Sequence, residues 1–296
     1  MLAPFKTPYN VPSLIANLRD LGVKAGDAVM LNADLGNIAW RASPASVKTA
    51  VIESLLQATG QGGGFMTVAF SKKYLLWNAK RGTEFTRDTP TNAGAMAKAM
   101  LQHPGAIRSK HPTHSFVAIG DIAADLLDGH DTNAGTYTPI GRVVDRNGTL
   151  LLLGCADRKN GVQTIHLCQE QLGLSRKSLL SFGLLAARYF DEDGRSRLFR
   201  YRSIGGCSRG FHKLYGDFVT AGLLKTGFYG NGYSVSVQAR PAQALTMEIL
   251  RENPCRALCD LPDCLFCRGM WTYNIAGMPR FYSSLVLSKI IGILKK

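Results

Sequence analysis

The segment from Gly105 to Gly120, GAIRSKHPTHSFVAIG, concentrates side chains that can do chemistry. Between Arg108 and Ile119 it contains one arginine, one lysine, two histidines and two serines. Pro112 restricts the backbone of this polar turn, and the apolar residues that follow are typical of a strand. A rigid, donor-rich turn beside a sheet favours the binding of an anionic cofactor.

The elements that must position this turn alternate along the chain. Apolar runs predict strands at 28–32, 65–70, 114–120 and 149–154, whereas helical periodicity predicts helices at 11–22, 44–58, 91–102, 163–173, 208–224 and 241–252. An Asp-Gly turn inside DEDGR predicts a hairpin between residues 178–190 and 196–204. The predicted fold is α/β, a three-layer single domain with a central mixed sheet flanked by helices, plus a cysteine-containing C-terminal extension.

Composition narrows the class of protein. The chain has 296 residues, a net charge of +14 and 46% hydrophobic residues, as in ordinary globular proteins. Its N-terminus is unlike a secretory signal, and its apolar runs are too short to span a bilayer, so we expect a cytoplasmic protein. The positive charges are dispersed and match no nucleic-acid motif, so an anionic small ligand is favoured over nucleic acid.

Several segments, in order, resemble the aminoglycoside 3-N-acetyltransferase (antibiotic acetyltransferase) family, whose members move an acetyl group from acetyl-CoA to an amine. The resemblance covers roughly Leu14 to Pro254 and is carried by LGVKAGDAVMLNADL, GQGGGFMTVAF, FTRDTPTNAGAMAKAM, RSKHPTHS with the following AIG, GTYTPIGRVVDRNGTLLLLG and QTIHLCQE. We therefore expect an acetyltransferase domain at 1–254 and a cysteine-rich tail with a C-terminal helix at 255–296.

The resemblance implies acetyl-CoA as the cosubstrate and places its binding site on the matched motifs. Asn32, Ala33 and Asp34 stand where the family has His-Ser-Ser, and Thr138 replaces a serine. The implied cofactor-binding residues are Asp34, Leu35, Arg108, Ser109, His111, Ser115 and Thr138. The alternative is a structural turn in which Ser109 and Ser115 bond to the backbone.

For catalysis, the resemblance implies His166 as the base that removes a proton from the acceptor amine. Its carboxylate partner is Asp157, in the preceding loop, or Glu170, one helical turn further on. Gln169 occupies the family's glutamate position, and a glutamine can position a substrate but cannot take a proton. The alternative for His166 is a helix-capping histidine, and for Glu170 a solvated helix face.

Four of the seven cysteines lie close together near the C-terminus, at Cys255, Cys259, Cys264 and Cys267. Their C-x3-C and C-x2-C spacings suit a structural Zn²⁺ site with four thiolate ligands. Free thiols and an iron–sulfur cluster are the alternatives.

The last residues, RFYSSLVLSKIIGILKK, predict a helix with lysines at its end. We expect it to pack on the domain or on the partner subunit of a homodimer. The alternative is peripheral contact with a membrane surface.

The acceptor is predicted from charge. The chain has 35 basic and 21 acidic residues, and the half that would receive the acceptor is basic and aromatic. This composition favours an N-acetyltransferase of amino sugars or other sugar-containing biosynthetic intermediates, since a polycationic acceptor would need acidic residues. The alternatives are an aminoglycoside 3-N-acetyltransferase that confers antibiotic resistance and a non-catalytic relative that acts as a binding module.

Overall fold

The computed structural model of the protein describes residues 10–38, 44–156, 161–175, 179–202, 207–270 and 275–294. Its helices are α1 (Val11–Asp20), α2 (Leu35–Ile38), α3 (Pro44–Thr59), α4 (Ala95–Leu101), α5 (Ala123–Leu127), α6 (Thr138–Asp145), α7 (Thr164–Gln171), α8 (Tyr215–Thr220), α9 (Ala239–Glu252), α10 (Leu265–Arg268) and α11 (Met278–Leu294). Shorter 3₁₀ helices cover Leu76–Asn78, Leu179–Phe182 and Ser208–Leu214.

The strands form two sheets. They are β1 (Ala28–Ala33), β2 (Gly64–Val68), β3 (Tyr74–Leu75), β4 (Glu84–Phe85), β5 (Ile107–Arg108), β6 (Phe116–Gly120), β7 (Thr149–Leu153), β8 (Leu185–Phe190), β9 (Ser196–Tyr201), β10 (Leu224–Tyr229) and β11 (Gly232–Gln238). The large sheet has the order β10-β11-β7-β1-β2-β6-β5, and its central strands β7, β1 and β2 are parallel. The flanking pairs are antiparallel, so the predicted mixed sheet is confirmed.

Helices cover both faces of this sheet. Met30 and Leu150 point to the face packed by α5 to α9, whereas Val29 and Leu151 point to the face packed by α1 to α4. Because successive strand residues face opposite sides, a continuous apolar run in β1 and β7 supplies both cores. The predicted three-layer α/β architecture is thereby confirmed.

The second sheet contains β3, β8 and β4, with β9 paired to β8. β8 and β9 form the predicted antiparallel hairpin, with Leu185 opposite Tyr201 and Phe190 opposite Ser196. Gly194, at φ 72°, turns the chain between them. The short strands β3 and β4, which flank β8, were not predicted because two-residue strands leave no periodic signal.

Two predicted helices have different bounds in the structure. α4 begins at Ala95 rather than at residue 91, because Gly94 has a φ of 102° that a helix does not admit. The helix predicted at 208–224 is a 3₁₀ helix followed by α8, which ends at Thr220, and Leu224 already belongs to β10. Gly222, at φ 67°, makes the reversal into that strand.

Gly120 is the last residue of β6 and of the polar segment, and it lies where a side chain does not fit. A Cβ on Gly120 would lie 2.5 Å from Gly64 Cα and 2.6 Å from the Gly63 carbonyl oxygen. Gly120 also has a φ of 113°. The strand pair β2–β6 therefore requires glycine here for both space and backbone conformation.

No helix in the described part of the chain is long and apolar enough to cross a bilayer. The predicted C-terminal helix is present as α11, and Val286 and Leu287 on it are exposed. Its packing on a partner subunit or a membrane stays a prediction, as does the division of the chain at residue 254.

Candidate active site

The hairpin strand β9 packs two aromatic side chains onto the histidines of the polar segment. Phe199 and Tyr201 are two residues apart and therefore share one face of the strand. The Phe199 ring lies 5.1 Å from the His111 ring, and the Tyr201 ring stacks on His114 at 4.7 Å. The second sheet thus closes over the turn that the first sheet carries.

A further aromatic ring connects this group to the predicted base. The Tyr137 ring lies 6.1 Å from His114 on one side and stacks on His166 at 5.0 Å on the other. Phe211 then contacts His166 edge to face at 4.6 Å. Residues far apart in sequence therefore form one continuous stack of imidazole and aromatic rings.

His166 is held in one orientation by α7 and its neighbours. Its Nδ1 lies 3.2 Å from Gln169 Oε1, one helical turn away, so a neutral ring that donates from Nδ1 leaves Nε2 as an acceptor. Some of the residue remains accessible to solvent, but the packing around the ring lowers its pKa to about 4. His166 is therefore unprotonated at neutral pH, as a proton acceptor must be.

The neighbouring histidines are also neutral, and each has a defined tautomer or partner. His111 Nδ1 accepts the backbone N–H of Thr113 and of His114, at 3.3 and 3.1 Å, so its proton sits on Nε2. Burial lowers the pKa of His111 to about 3. Next to it, Lys73 Nζ and Tyr201 Oη lie 3.2 and 3.1 Å from His114 Nε2.

Lys73 brings a positive charge into this group. Its Nζ lies 4.7 Å from the centre of the Tyr201 ring, a cation–π contact. Burial lowers the pKa of the Lys73 ammonium to about 8, so near neutral pH it is mostly charged and readily gives up its proton.

Glu170 has a different partner from the predicted one. Its carboxylate accepts the backbone N–H of Thr136 at 2.9 Å and of Tyr137 at 3.1 Å, which fixes the entry into α6. The His166 ring pairs instead with Gln169, whose Oε1 lies 3.2 Å from His166 Nδ1, while the Glu170 carboxylate binds the backbone at the entry into α6. Asp157, the other predicted partner, lies outside the described residues.

Three of the predicted cofactor-binding side chains, those of Arg108, Ser109 and Ser115, form hydrogen bonds to other groups of the protein. Arg108 donates to the backbone carbonyls of Arg87, Thr89 and Ala69 and to Ser115 Oγ. Ser115 Oγ also donates to the Ala69 carbonyl at 2.7 Å. The prediction that Arg108 and Ser115 hold cofactor phosphate is corrected, since the guanidinium is surrounded by protein acceptors.

Ser109 has the same kind of role. Its Oγ accepts the Phe116 backbone N–H at 2.9 Å and pairs with His130 Nδ1 at 2.9 Å. These bonds fix the start of β6 and the position of His130. The alternative of a structural turn therefore describes Arg108, Ser109 and Ser115 better than a phosphate shell does.

The remaining predicted cofactor residues lie at two places. Asp34 and Leu35 line a cavity of about 260 Å³ at the carboxyl ends of the parallel strands β1 and β7, together with Asn32 and Cys155. Ligands bind at such strand ends in α/β sheets. Thr138 instead donates from Oγ1 to the Gly135 carbonyl at 3.0 Å, within its own turn.

A cleft of about 540 Å³ opens beside the ring stack and has the size of a small-molecule site. Its described walls come from the polar segment, the loop before α6, α7 and β9, and comprise His111, Thr132, Asn133, Ala134, Gly135, Thr136, Glu170, Ser181, Phe199, Arg200, Tyr201 and Arg202. One of these residues is acidic and two are basic arginines. The cleft is therefore mixed in charge.

Tyr137, Tyr201, Phe199 and Lys73 were not predicted as site residues. Phe199 and Tyr201 carry a weak signal, since two aromatic residues on one face of an otherwise basic strand indicate a buried face. Lys73 and Tyr137 lie in loop sequences with no periodicity. Their part in the site depends on long-range packing.

Four cysteine sulfurs converge away from this cleft. The Sγ atoms of Cys207, Cys259, Cys264 and Cys267 all lie within 4.8 Å of one another. The predicted set contained Cys255 in place of Cys207, and the structure corrects this, because Cys255 is exposed and does not join the cluster.

His166 is unprotonated at neutral pH and can therefore take a proton from a nucleophile, and the adjacent cleft is lined by His111 and Tyr201, which can donate to a developing oxyanion. Fold and site together define an acyltransferase. The chain belongs to the aminoglycoside 3-N-acetyltransferase family, whose model matches residues 30–251. The resemblance stated from the sequence motifs is confirmed, and acetyl-CoA is the cosubstrate of such an enzyme.

Individual relatives agree with this assignment. Aminoglycoside N(3)-acetyltransferase IX of Micromonospora chalcea is 27% identical over 250 residues, 76% of this chain and 87% of the relative. The apoenzyme structure of aminoglycoside acetyltransferase AAC(3)-IVa matches with a TM-score of 0.74 at 20% identity, covering 90% of this chain and 98% of that one. A structure of AAC-IIIb in binary complex with CoASH matches with a TM-score of 0.67 at 19% identity, covering 82% and 97%. The two structures establish the shared fold.

Proposed function

We propose that this acyltransferase moves the acetyl group of acetyl-CoA to an amino group of an aminoglycoside, at the 3-position for which the family is named. The observation that carries the proposal is the neutral His166 at the end of the ring stack, in a chain whose family match covers that residue. This acceptor was the alternative in the sequence-based prediction. The family and its named relatives favour it over an amino-sugar intermediate.

His166 supplies the base. The acceptor ammonium gives one proton to Nε2 of His166, and the freed amine attacks the thioester carbonyl carbon. The hydrogen bond from Nδ1 to Gln169 Oε1 keeps Nε2 directed away from the helix. A neutral amide in this position resembles the histidine–asparagine pair of other acyl-transfer sites, where the amide orients the ring and takes no proton.

Tyr201 and His111 supply donors at the opposite wall. His111 carries its proton on Nε2. Tyr201 Oη pairs with His114 Nε2 at 3.1 Å, and Lys73 Nζ lies over the Tyr201 ring. Either donor can bond the oxyanion that forms when the amine attacks. When the carbon–sulfur bond breaks, the CoA thiolate leaves and takes the proton that His166 holds, and the amide nitrogen releases its second ammonium proton to solvent. The nearby Lys73 charge favours the developing thiolate anion.

The donor and the acceptor occupy different cavities in this proposal. The pantetheine arm of acetyl-CoA approaches through the cavity lined by Asp34 and Leu35, at the ends of β1 and β7. The acceptor lies in the cleft between the loop before α6 and β9, where the Glu170 carboxylate offers an acceptor for a cationic substituent.

A second candidate acceptor is favoured by one specific observation. Arg200 and Arg202 line the same cleft and outnumber the Glu170 carboxylate. Two guanidinium groups suit a phosphate or carboxylate, so an amino sugar with an anionic substituent is the second candidate.

The test is steady-state kinetics of the full chain with acetyl-CoA, following release of the free thiol. The amine panel contains gentamicin- and kanamycin-type aminoglycosides and amino-sugar nucleotides, and NMR of the product locates the acetyl group. Acetylation of an aminoglycoside at its 3-amino group, with the highest kcat/KM of the panel, is expected. A clear preference for amino-sugar nucleotides would establish the second candidate instead.

A His166→Ala variant links the activity to the proposed base. We expect kcat to fall by about 10²–10⁴-fold, because general-base catalysis contributes rate enhancements of this order. The Kd for CoA, measured by calorimetry, should stay the same, because His166 is not among the residues that line the cavity assigned to CoA. Unchanged kcat would remove His166 from the mechanism.

A further inference from the structure

Three separate stretches of the chain bring the four converging sulfurs together. Cys207 directly precedes the 3₁₀ helix Ser208–Leu214, and Cys259 follows α9. Cys264 directly precedes α10, and Cys267 lies within it. We propose that these four cysteines bind one Zn²⁺ in a closed, structural tetrathiolate site, and that the site fixes one wall of the acyl-transfer centre.

The geometry of the cluster fits this metal. Four thiolates at about 2.3 Å from a tetrahedral Zn²⁺ lie about 3.8 Å from one another, a spacing within the 4.8 Å limit of the sulfurs. Cys264 and Cys267 have the C-x2-C spacing that commonly supplies two of the ligands. Cys259 and Cys267 are buried, and Cys207 and Cys264 are half-buried, so the site has little room for a water ligand.

Backbone donors already point at two of the sulfurs. The Arg209 N–H donates to Cys207 Sγ at 3.4 Å, and the Cys259 N–H donates to Cys267 Sγ at 3.5 Å. Such bonds hold metal-bound thiolates in place and spread their charge. A disulfide would join the sulfurs in pairs, whereas here all four lie within 4.8 Å of one another.

Positive charges surround the cluster. Arg268 donates to the Cys259 carbonyl at 3.0 Å, and Lys213 donates to the Leu258 carbonyl at 2.7 Å. Four thiolates around a divalent ion leave a net charge of −2, which the Arg268 guanidinium partly offsets. The Lys213 ammonium is also paired with the Asp260 carboxylate, at 2.5 Å.

One short helix connects the cysteine cluster to His166. The helix Ser208–Leu214 that follows Cys207 carries Phe211, whose ring contacts His166 at 4.6 Å. Gly210 of the same helix packs so closely on the segment after α9 that a Cβ there would collide with the Ala257 carbonyl. A metal that joins Cys207 to Cys259 therefore holds Phe211 against His166.

The decisive experiment is the zinc content of the purified full chain and of two matched variants, measured by mass spectrometry of the metal. Wild type and Cys255→Ser should each hold about one zinc per chain, and Cys207→Ser should hold less than about 0.2. Loss of zinc from Cys255→Ser but not from Cys207→Ser, or wild-type protein with less than about 0.2 zinc per chain, would overturn the proposal. Because metal content is independent of turnover, this result stands whatever the acceptor is.

Wild-type protein alone provides a second measurement if Cys207→Ser fails to fold. Under native conditions, alkylation followed by peptide mass spectrometry should label Cys255 at once and protect Cys207 and Cys264. Addition of a strong chelator should expose both protected cysteines and leave the rate at Cys255 unchanged. Equal labelling of Cys207 with and without chelator, or an intact disulfide within the cluster, would contradict a zinc site.

Cobalt identifies the ligand set. Co²⁺ exchanged into the wild-type chain should give the intense thiolate-to-metal absorption and tetrahedral visible bands of a four-sulfur site. Cys255→Ser should give the same spectrum. A spectrum typical of octahedral oxygen coordination would contradict the assignment.

Discussion

The imidazole of His166 is hydrogen-bonded to the amide of Gln169, with Nδ1 3.2 Å from Oε1. An amide orients the ring without adding a negative charge. Burial is therefore the dominant influence on this histidine and lowers its pKa to about 4. His166 is therefore an unprotonated base at neutral pH. Its surroundings do little to stabilise the imidazolium that forms when it accepts a proton.

Replacement of Gln169 by glutamate should move the pH dependence of the reaction. A carboxylate 3 Å from the ring favours the imidazolium and raises the pKa of His166 by about 1–3 units. The acid limb of kcat/KM, which the His166 pKa of about 4 sets in wild type, should shift upward by a similar amount. Thiol-release assays across about pH 4–9, on wild type and variant, measure the shift. A Gln169→Glu profile that coincides with wild type would mean that His166 does not titrate in the rate-limiting step.

Replacement of Arg108 by lysine distinguishes a structural arginine from one that binds phosphate. Lysine cannot reach the carbonyls of Arg87, Thr89 and Ala69 together, so the free energy of unfolding should fall by about 2–4 kcal/mol. The KM for acetyl-CoA of the folded fraction should stay within about two-fold of wild type. Urea titration and initial rates measure the two effects, and Lys110→Ala, at the exposed neighbour, is the control. A selective rise of KM with intact stability would restore the cofactor role.

Replacement of Gly120 by alanine should destabilise the sheet where β6 ends and β2 begins. The new Cβ would meet Gly64 Cα at 2.5 Å, and the φ of 113° adds strain, so we expect a loss of about 2–4 kcal/mol. Gly26 has a φ of 75° with nothing within 4 Å of its Cβ position, so Gly26→Ala should lose about 1 kcal/mol. Thermal and urea unfolding compare the two. Equal losses of unfolding free energy in Gly120→Ala and Gly26→Ala would mean that the positive φ, and not the collision of the new Cβ, accounts for the effect.

The buried histidines predict a stability that falls on acidification. The pKa of His111 is about 3 and that of His166 about 4 in the folded protein, against 6.5 for an unperturbed histidine. Between pH 6.5 and 4 the unfolded chain binds more protons, so acid favours unfolding. From about pH 7 to about pH 5 the loss should be about 2–4 kcal/mol, measured by urea titration. His166→Gln should show a shallower dependence, and an identical slope would exclude a contribution from this ring.

Much of the architecture could be predicted because it depends on local pattern. The apolar runs of β1 and β7 and the Asp-Gly turn of the hairpin determine their own structure, and His166 was identified from its matching motif. These signals lie within a few residues of one another in sequence. They can therefore be recognised in the sequence without knowledge of the fold.

The rest depends on contacts between distant residues. Cys207 lies 52 residues before Cys259, so no spacing rule could group them, and the nearer Cys255 was chosen instead. Arg108 has the chemistry of a phosphate ligand, and only its enclosure by three backbone carbonyls reveals its structural role. Tyr137 and Tyr201 became part of the site because the second sheet folds over the first.

The wall proposed to receive the acceptor lies on the β8–β9 hairpin, whose backbone hydrogen bonds belong to the four-stranded sheet and not to the seven-stranded one. Phe199 and Tyr201 face the histidines, while Arg200 and Arg202 alternate with them along the cleft. Changes at the arginines leave the ladder of the large sheet intact. Substitutions on this hairpin can therefore alter the proposed acceptor wall with small risk to the stability of the seven-stranded sheet, so the two can be engineered separately in this chain.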